Sequence, residues 1–149
     1  MAASRKYING RDVSQEVGSE KIGGYAAAVA NIEKVRESLR ALQRGMAQKN
    51  NAVLEGRDIG TVVLPDADVK IFLTASAETR ARRRSGDESR DYEEILREII
   101  SRDKQDEERA IAPLKPAADA VILDNSDLDE AETLSAALDI IKDKLQGKS

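Results

Sequence analysis

The sequence predicts an α/β protein organised on a parallel sheet, and three observations carry that prediction. Short apolar runs at Ala52-Val53-Leu54, Val69-Lys70-Ile71-Phe72-Leu73 and Ala120-Val121-Ile122-Leu123 read as buried strands. Segments with apolar residues at spacings of three and four, the period of a helix, alternate with them. A glycine loop, Glu55-Gly56-Arg57-Asp58-Ile59-Gly60-Thr61, leaves the first run at the end where open α/β sheets hold their ligands. Strands joined through helices imply right-handed crossovers.

The 149 residues suit one domain, or one domain with a small insert, and are enough to bury a core. A charged fraction of 35%, with one Phe, three Tyr and no Trp, points to a soluble, helix-rich chain. The net charge of −4 argues against a nucleic-acid polymer or a membrane surface as partner, since both call for a basic excess. With no Cys and no His there is no disulfide framework, zinc site, thiol nucleophile or imidazole base. Chemistry is left to carboxylates, Arg, Lys, hydroxyls and backbone amides, or to Mg²⁺ held largely by a ligand's phosphates. No apolar run approaches a membrane span and no signal peptide opens the chain, so the cytoplasm is the expected compartment.

In chain order, Met1 to Arg5 reads as a loose end. Lys6-Tyr7-Ile8 reads as a short strand closed by an Asn9-Gly10 turn. Ser19 to Ala30 turns small, with Gly23-Gly24 and three alanines at 26 to 28, and helix is expected there only after the glycines. Residues 1–30 therefore separate in composition as a small subdomain, and 31–149 as the α/β core. Asn31 can cap a helix to about Gln48, with Ile32, Val35, Leu39, Leu42 and Met46 along one face. Pro65-Asp66 marks a turn before the second strand.

Ser76, with Glu78 in the first turn, opens a helix carrying Arg80, Arg82, Arg83 and Arg84. Ser85 to Arg90 reads as a short polar loop around Gly86. Asp91 and Glu94 have the spacing of a capping box, and Tyr92, Ile95, Leu96, Ile99 and Ile100 give the next helix, to about Glu108, its apolar face. Pro113 and Pro116 break the chain before the third strand. Ser126 with Asp129 starts the last helix, whose Leu128, Leu134, Leu138, Ile141 and Leu145 are expected to face inward.

Two constellations carry chemistry. In the glycine loop, Arg57 offers a planar fork suited to phosphate, and Asp58 an acceptor suited to an amine or hydroxyl. The same pair in a solvated turn would be a weak surface ion pair. Arg102, Asp106 and Arg109 fall within roughly 60° of one another on a helix, so two forks and a carboxylate could grip a phosphate and a sugar hydroxyl. An ordinary ladder of surface ion pairs, with Asp103, Glu107 and Glu108, fits that spacing too. The run Arg80 to Arg84 reads either as a solvated face or as a lid closing over phosphates, about residues 84–91.

The order of the pieces resembles the bacterial cytidylate kinase family over nearly the whole chain. The carriers are Asn9-Gly10-Arg11-Asp12-Val13, Val35-Arg36-Glu37 with Gln43-Arg44, Gly56-Arg57-Asp58-Ile59-Gly60-Thr61-Val62-Val63, and Pro65-Asp66-Ala67 before Lys70-Ile71-Phe72-Leu73. Arg80, Arg83-Arg84, Arg102-Asp103 with Asp106 and Arg109, and Ala112-Pro113-Leu114-Lys115-Pro116-Ala117-Ala118-Asp119-Ala120 complete the series. The resemblance implies the P-loop nucleoside monophosphate kinase fold, a parallel-sheet α/β architecture. It implies transfer of the ATP γ-phosphoryl group to CMP or dCMP with Mg²⁺ carried mainly by the phosphates. Residues 1–30 would be the monophosphate-binding subdomain in part.

The same resemblance implies that Arg36 and Asp58 read cytosine, in agreement with the donor and acceptor pattern of that base. Arg57 and Arg109 would hold the monophosphate, and Arg102 with Asp106 the sugar. Arg80 and Arg84 would stand on the lid side near the transferring phosphate, with Arg84 and Arg109 as the catalytic arginines. Such a transfer needs positioning and charge neutralisation rather than a covalent intermediate.

Three departures from the family pattern are expected to matter. No Gly-x-x-x-x-Gly-Lys-Ser/Thr phosphate loop occurs, so the fold is expected to be truncated at its N-terminus, lacking the central strand that bears that loop. Gly18 stands at a phosphate-binding arginine position and Ala27 at a base-contacting serine position, and the lid is short. The chain alone is accordingly expected to be inactive, and to be poorly stable or to close its sheet differently. It either works with a complementary N-terminal segment or is a non-catalytic relic that binds a cytidine nucleotide or a protein partner.

Overall fold

Asn9 and Gly10 reverse the chain with positive φ at both residues, 49° and 81°. Two left-handed residues make the turn whose twist suits a two-residue hairpin, and Asn and Gly are the residues that tolerate it. The strands it joins are β1 (Tyr7–Ile8) and β2 (Arg11–Asp12), antiparallel, with Tyr7 opposite Asp12. Lys6 N donates to Ser14 Oγ at 2.8 Å, and Ser14 donates through its N and Oγ to the Asp12 carboxylate at 2.9 and 2.6 Å.

The computed structural model describes residues 5–18, 22, 25, 29, 32–88, 90–108 and 114–147, in two units, Met1–Ala52 and Val53–Ser149. In the first unit the hairpin is followed by a 3₁₀ turn, Glu16–Gly18, and by helix α1, Glu33–Lys49. The expected Asn31 cap and most of the small-residue segment lie outside the described residues. Ile32 precedes α1 without a side-chain cap. The apolar positions Ile32, Leu39, Leu42 and Met46 follow the helical period but stay exposed.

The second unit carries the parallel sheet. Strand β3 (Ile71–Thr74) pairs with β4 (Val121–Asp124) in parallel, Ile71 opposite Val121 and Thr74 opposite Asp124. Backbone bonds from Val121 N to Lys70 O and from Asn125 N to Thr74 O, each 2.9 Å, extend the ladder at both ends. Helix α2 (Ala77–Glu88) follows β3, and helix α3 (Tyr92–Glu107) packs back on α2 to bury Ala81, Ile95 and Ile99 against Ala77, Tyr92 and Leu96. Helix α4 (Glu130–Gln146) follows β4.

Four expectations are corrected here. Residues 52–54 do not form a strand: Val53 is 97% exposed, and among the described residues β3 pairs only with β4. A three-residue run gains nothing from an extended conformation without a ladder partner, whereas water satisfies its backbone. The expected loop at Ser85–Arg90 is helical as far as Glu88. One glycine in a helix costs about 1 kcal/mol, too little to end a helix already packed along its neighbour.

The last helix opens one turn later than Ser126. Asp129 is its N-cap, accepting from Glu132 N at 2.8 Å while its own N donates to Glu132 Oε2 at 2.9 Å, a full capping box. Ser126 instead donates to Asp124 and receives Ser76 N at 2.8 Å, tying the ends of β4 and β3 together. Leu134, Leu138 and Leu145 of α4 are exposed rather than inward, and Ile141 and Leu128 are half-buried. A sheet of two strands is too narrow to cover that whole helical face.

Candidate functional site

The glycine loop is held by its own backbone. The Asp58 carbonyl accepts from Val62 N at 2.8 Å and Val63 N at 3.1 Å, and the Thr61 hydroxyl adds a 3.4 Å contact. These bonds close a single π-helical turn, Ile59–Val63, whose Val63 is buried. Single-turn π segments are rare and recur at functional sites. A Cβ on Gly56 would stand 2.9 Å from Ile59 Cγ1, so the approach of the loop to that side chain requires glycine.

Gly60 rests on the stem of Lys70, 3.4 Å from Cδ to an added Cβ. Only 8% of the Lys70 side chain is exposed, and its ammonium donates to both carboxylate oxygens of Asp119, at 2.8 and 2.7 Å, and to the Pro65 carbonyl. The Lys70 hydrogen bond holds the Asp119 carboxyl below its ordinary range. Lys70 thus fastens the far end of the loop to the turn that precedes β4.

Beside the loop, α3 presents two carboxylates to two arginines. Ile95, Ile99 and Asp106 fall within about 40° of each other at 100° per residue, so Asp106 sits on the buried face of α3. It is 2% exposed and pairs with Arg57 of the loop. Three residues earlier, Asp103 takes Arg80 of α2 in a two-pronged pair, Nη1 to Oδ1 at 2.9 Å and Nη2 to Oδ2 at 2.6 Å. Arg80 Nε donates to the Ala75 carbonyl at 3.0 Å, which fixes the plane of the fork. The Arg80 hydrogen bonds depress the Asp103 carboxyl, and the nearby charges of Arg80, Arg57 and Arg102 depress it further.

The expected site residues distribute as follows. Arg57, Asp58, Arg80, Arg102 and Asp106 all belong to the second unit, and Arg57, Arg80 and Asp106 join one cluster with Asp103. Arg102 is exposed on α3, near enough to act on Asp103. Arg84 is half-buried one turn beyond Arg80 on α2, and its charge acts on Glu98 of α3. Arg36 is half-buried on α1 of the first unit. Arg109 lies outside the described residues.

The alternative of a ladder of surface ion pairs needs correction at Asp106, which is turned inward. Sequence reasoning missed Asp103, which it assigned to the surface ladder. The signal was present in the spacing: position 103 stands one turn from 99 and from 106, toward the helix that carries Arg80. It also missed the Lys70–Asp119 fastening, which links residues far apart in sequence.

No group of three or more carboxylates among the described residues gathers as a metal site. No helix among them is long and apolar enough to cross a membrane.

A parallel α/β unit thus sets arginine forks and carboxylates beside a glycine loop. The family model described as cytidylate kinase matches residues 1–143. A cytidylate kinase of Mycobacterium avium is 47% identical over 146 residues, covering 94% of this chain and 64% of the relative. One from Thermosipho melanesiensis is 47% identical over 144 residues, covering 93% and 66%. One from a Thermotoga species is 44% identical over 146 residues, covering 95% and 66%. The chain belongs to the cytidylate kinase family, and it spans about 64% of the length of the first of these relatives.

Proposed function

We propose that the chain carries the cytidine-monophosphate side of a cytidylate kinase, the enzyme that moves the γ-phosphoryl group of ATP to CMP or dCMP. The observation that carries this reading is the junction of Arg57 with Asp106 and of Arg80 with Asp103, beside a loop that also bears Asp58. Membership of the family supports it. Arg57 and Arg109 hold the monophosphate, Arg36 and Asp58 read the base, and Arg102 with Asp106 serve the sugar. Arg80 and Arg84 face the transferring group, and Arg84 and Arg109 neutralise its charge.

Mg²⁺ enters with ATP on the phosphates, and the residues at about 84–91 serve as the short lid. The sequence carries no Gly-x-x-x-x-Gly-Lys-Ser/Thr loop, so this chain binds CMP without turning it over unless a complementary segment supplies one. The setting is cytoplasmic. Titration of the full chain with CMP, UMP and cytidine tests the reading. CMP binds tighter than UMP, and Asp58→Ala weakens CMP by roughly tenfold while leaving UMP nearly unchanged. Equal CMP affinities for wild type and Asp58→Ala would remove the base-reading role.

A further inference from the structure

Arg80 and Arg57 come from different elements, one from α2 and one from the glycine loop, yet both end on carboxylates of α3 set three residues apart. That spacing places the two carboxylates as neighbours on one helical face, roughly 5–6 Å between Cβ atoms. The Asp103 carboxyl feels Arg57 as well as Arg80 and Arg102. Arg57 and Arg80 therefore share the charge of one acidic face of α3, while Glu78 acts on Arg80 from its own helix. Both forks stay partly open to solvent, with side-chain exposures of 38% for Arg57 and 39% for Arg80.

Arg80 uses Nε and one hydrogen on each terminal nitrogen for Ala75 and Asp103. A guanidinium has five N–H donors, so two remain, one on each terminal nitrogen. Held at three points, the fork cannot swing away with the rotamer freedom of a free arginine, and its remaining donors are fixed in direction.

We propose that Asp103 is a positioning residue, which holds Arg80 so that Arg80 and Arg57 close on a single phosphoryl group as one clamp. Asp103 touches no substrate and acts through Arg80. The inference rests on the reading of the site as a nucleotide monophosphate site and extends it, joining an arginine of α2 to the arginine of the loop on one ligand group. Without Asp103 the Arg80 side chain must be ordered by the ligand itself, and that ordering reduces affinity.

The full chain is titrated with CMP and with cytidine, as wild type, Asp103→Asn, Asp103→Glu, Arg80→Lys and the double variant Asp103→Asn/Arg80→Lys. Asp103→Asn weakens CMP by roughly tenfold and leaves cytidine unchanged, because cytidine has no phosphoryl group for the clamp. Asp103→Glu recovers part of the loss. The double variant binds CMP no worse than the weaker single variant, as expected for residues that act as a unit.

An unchanged CMP affinity in Asp103→Asn, an equal loss for cytidine, or losses that multiply in the double variant would each overturn the inference. If the wild type binds neither CMP nor cytidine, the nucleotide reading fails, and the inference is then read with inorganic phosphate on the Arg80 Nε–H resonance. A phosphate-dependent shift in wild type that disappears in Asp103→Asn supports the positioning role. The same response in both, or none in either, defeats it.

Discussion

Removal of the Arg57 side chain takes the guanidinium partner from a carboxylate that is almost wholly buried. Arg57→Ala is expected to lower the unfolding free energy by about 1.5–3 kcal/mol, the range for a hydrogen bond to a charged group, measured by urea unfolding. Acid acts on the same cluster. Asp103 has its carboxyl depressed by Arg80, and Glu98 by Arg90, whose fork meets it at 2.6 and 3.2 Å. Carboxyls depressed by folding stabilise above their unfolded value, near pH 4, and that stabilisation is lost as pH falls through the folded value. The urea midpoint should therefore drop below about pH 4, and Asp103→Asn should flatten the fall. A midpoint independent of pH over that range would contradict the pairing.

At the scale of elements, the seam between α2 and α3 is the core of the second unit, and Ile95 at its centre is fully buried. Ile95→Ala is expected to cost about 2–5 kcal/mol in chemical unfolding. The capping groups are worth less: Asp129→Ala and Asp91→Ala should each cost about 1 kcal/mol. Asp91 was legible from its spacing to Glu94, and its carboxylate does accept from Glu94 N at 3.0 Å. The hairpin turn at Asn9-Gly10, β3, β4 and helices α1 to α4 were legible as well, because each rests on local pattern. What local pattern could not give was pairing. Ala52-Val53-Leu54 is as apolar as a strand, but a strand exists only where another offers its backbone groups. Leu134 and Leu138 keep the period of a buried face, but burial depends on what lies opposite. Arg57, Arg80 and Asp106 stood out in the sequence, but which carboxylate meets which arginine did not, since a pair between separate elements leaves no mark within either.

For the whole molecule, family membership covers residues 1–143 and the expected chemistry is divided between the units. Arg36 stands in the first, and the loop, Arg80 and the acidic pair of α3 stand in the second. Purified chain mixed with ATP and CMP should form no CDP, and addition of a polypeptide supplying a phosphate loop should restore formation. CDP from the chain alone would show that a competent ATP site exists outside the pattern considered. Lys70 gives a different handle on the second unit. Reagents that acylate amines need an accessible nitrogen, and this one is enclosed, bound by Asp119 and the Pro65 carbonyl. Lys49 and Lys104, by contrast, lie in exposed positions. Brief acetylation followed by mass spectrometry should mark those first and Lys70 last, so the modification of one amine becomes a clock for the opening of the region around the glycine loop.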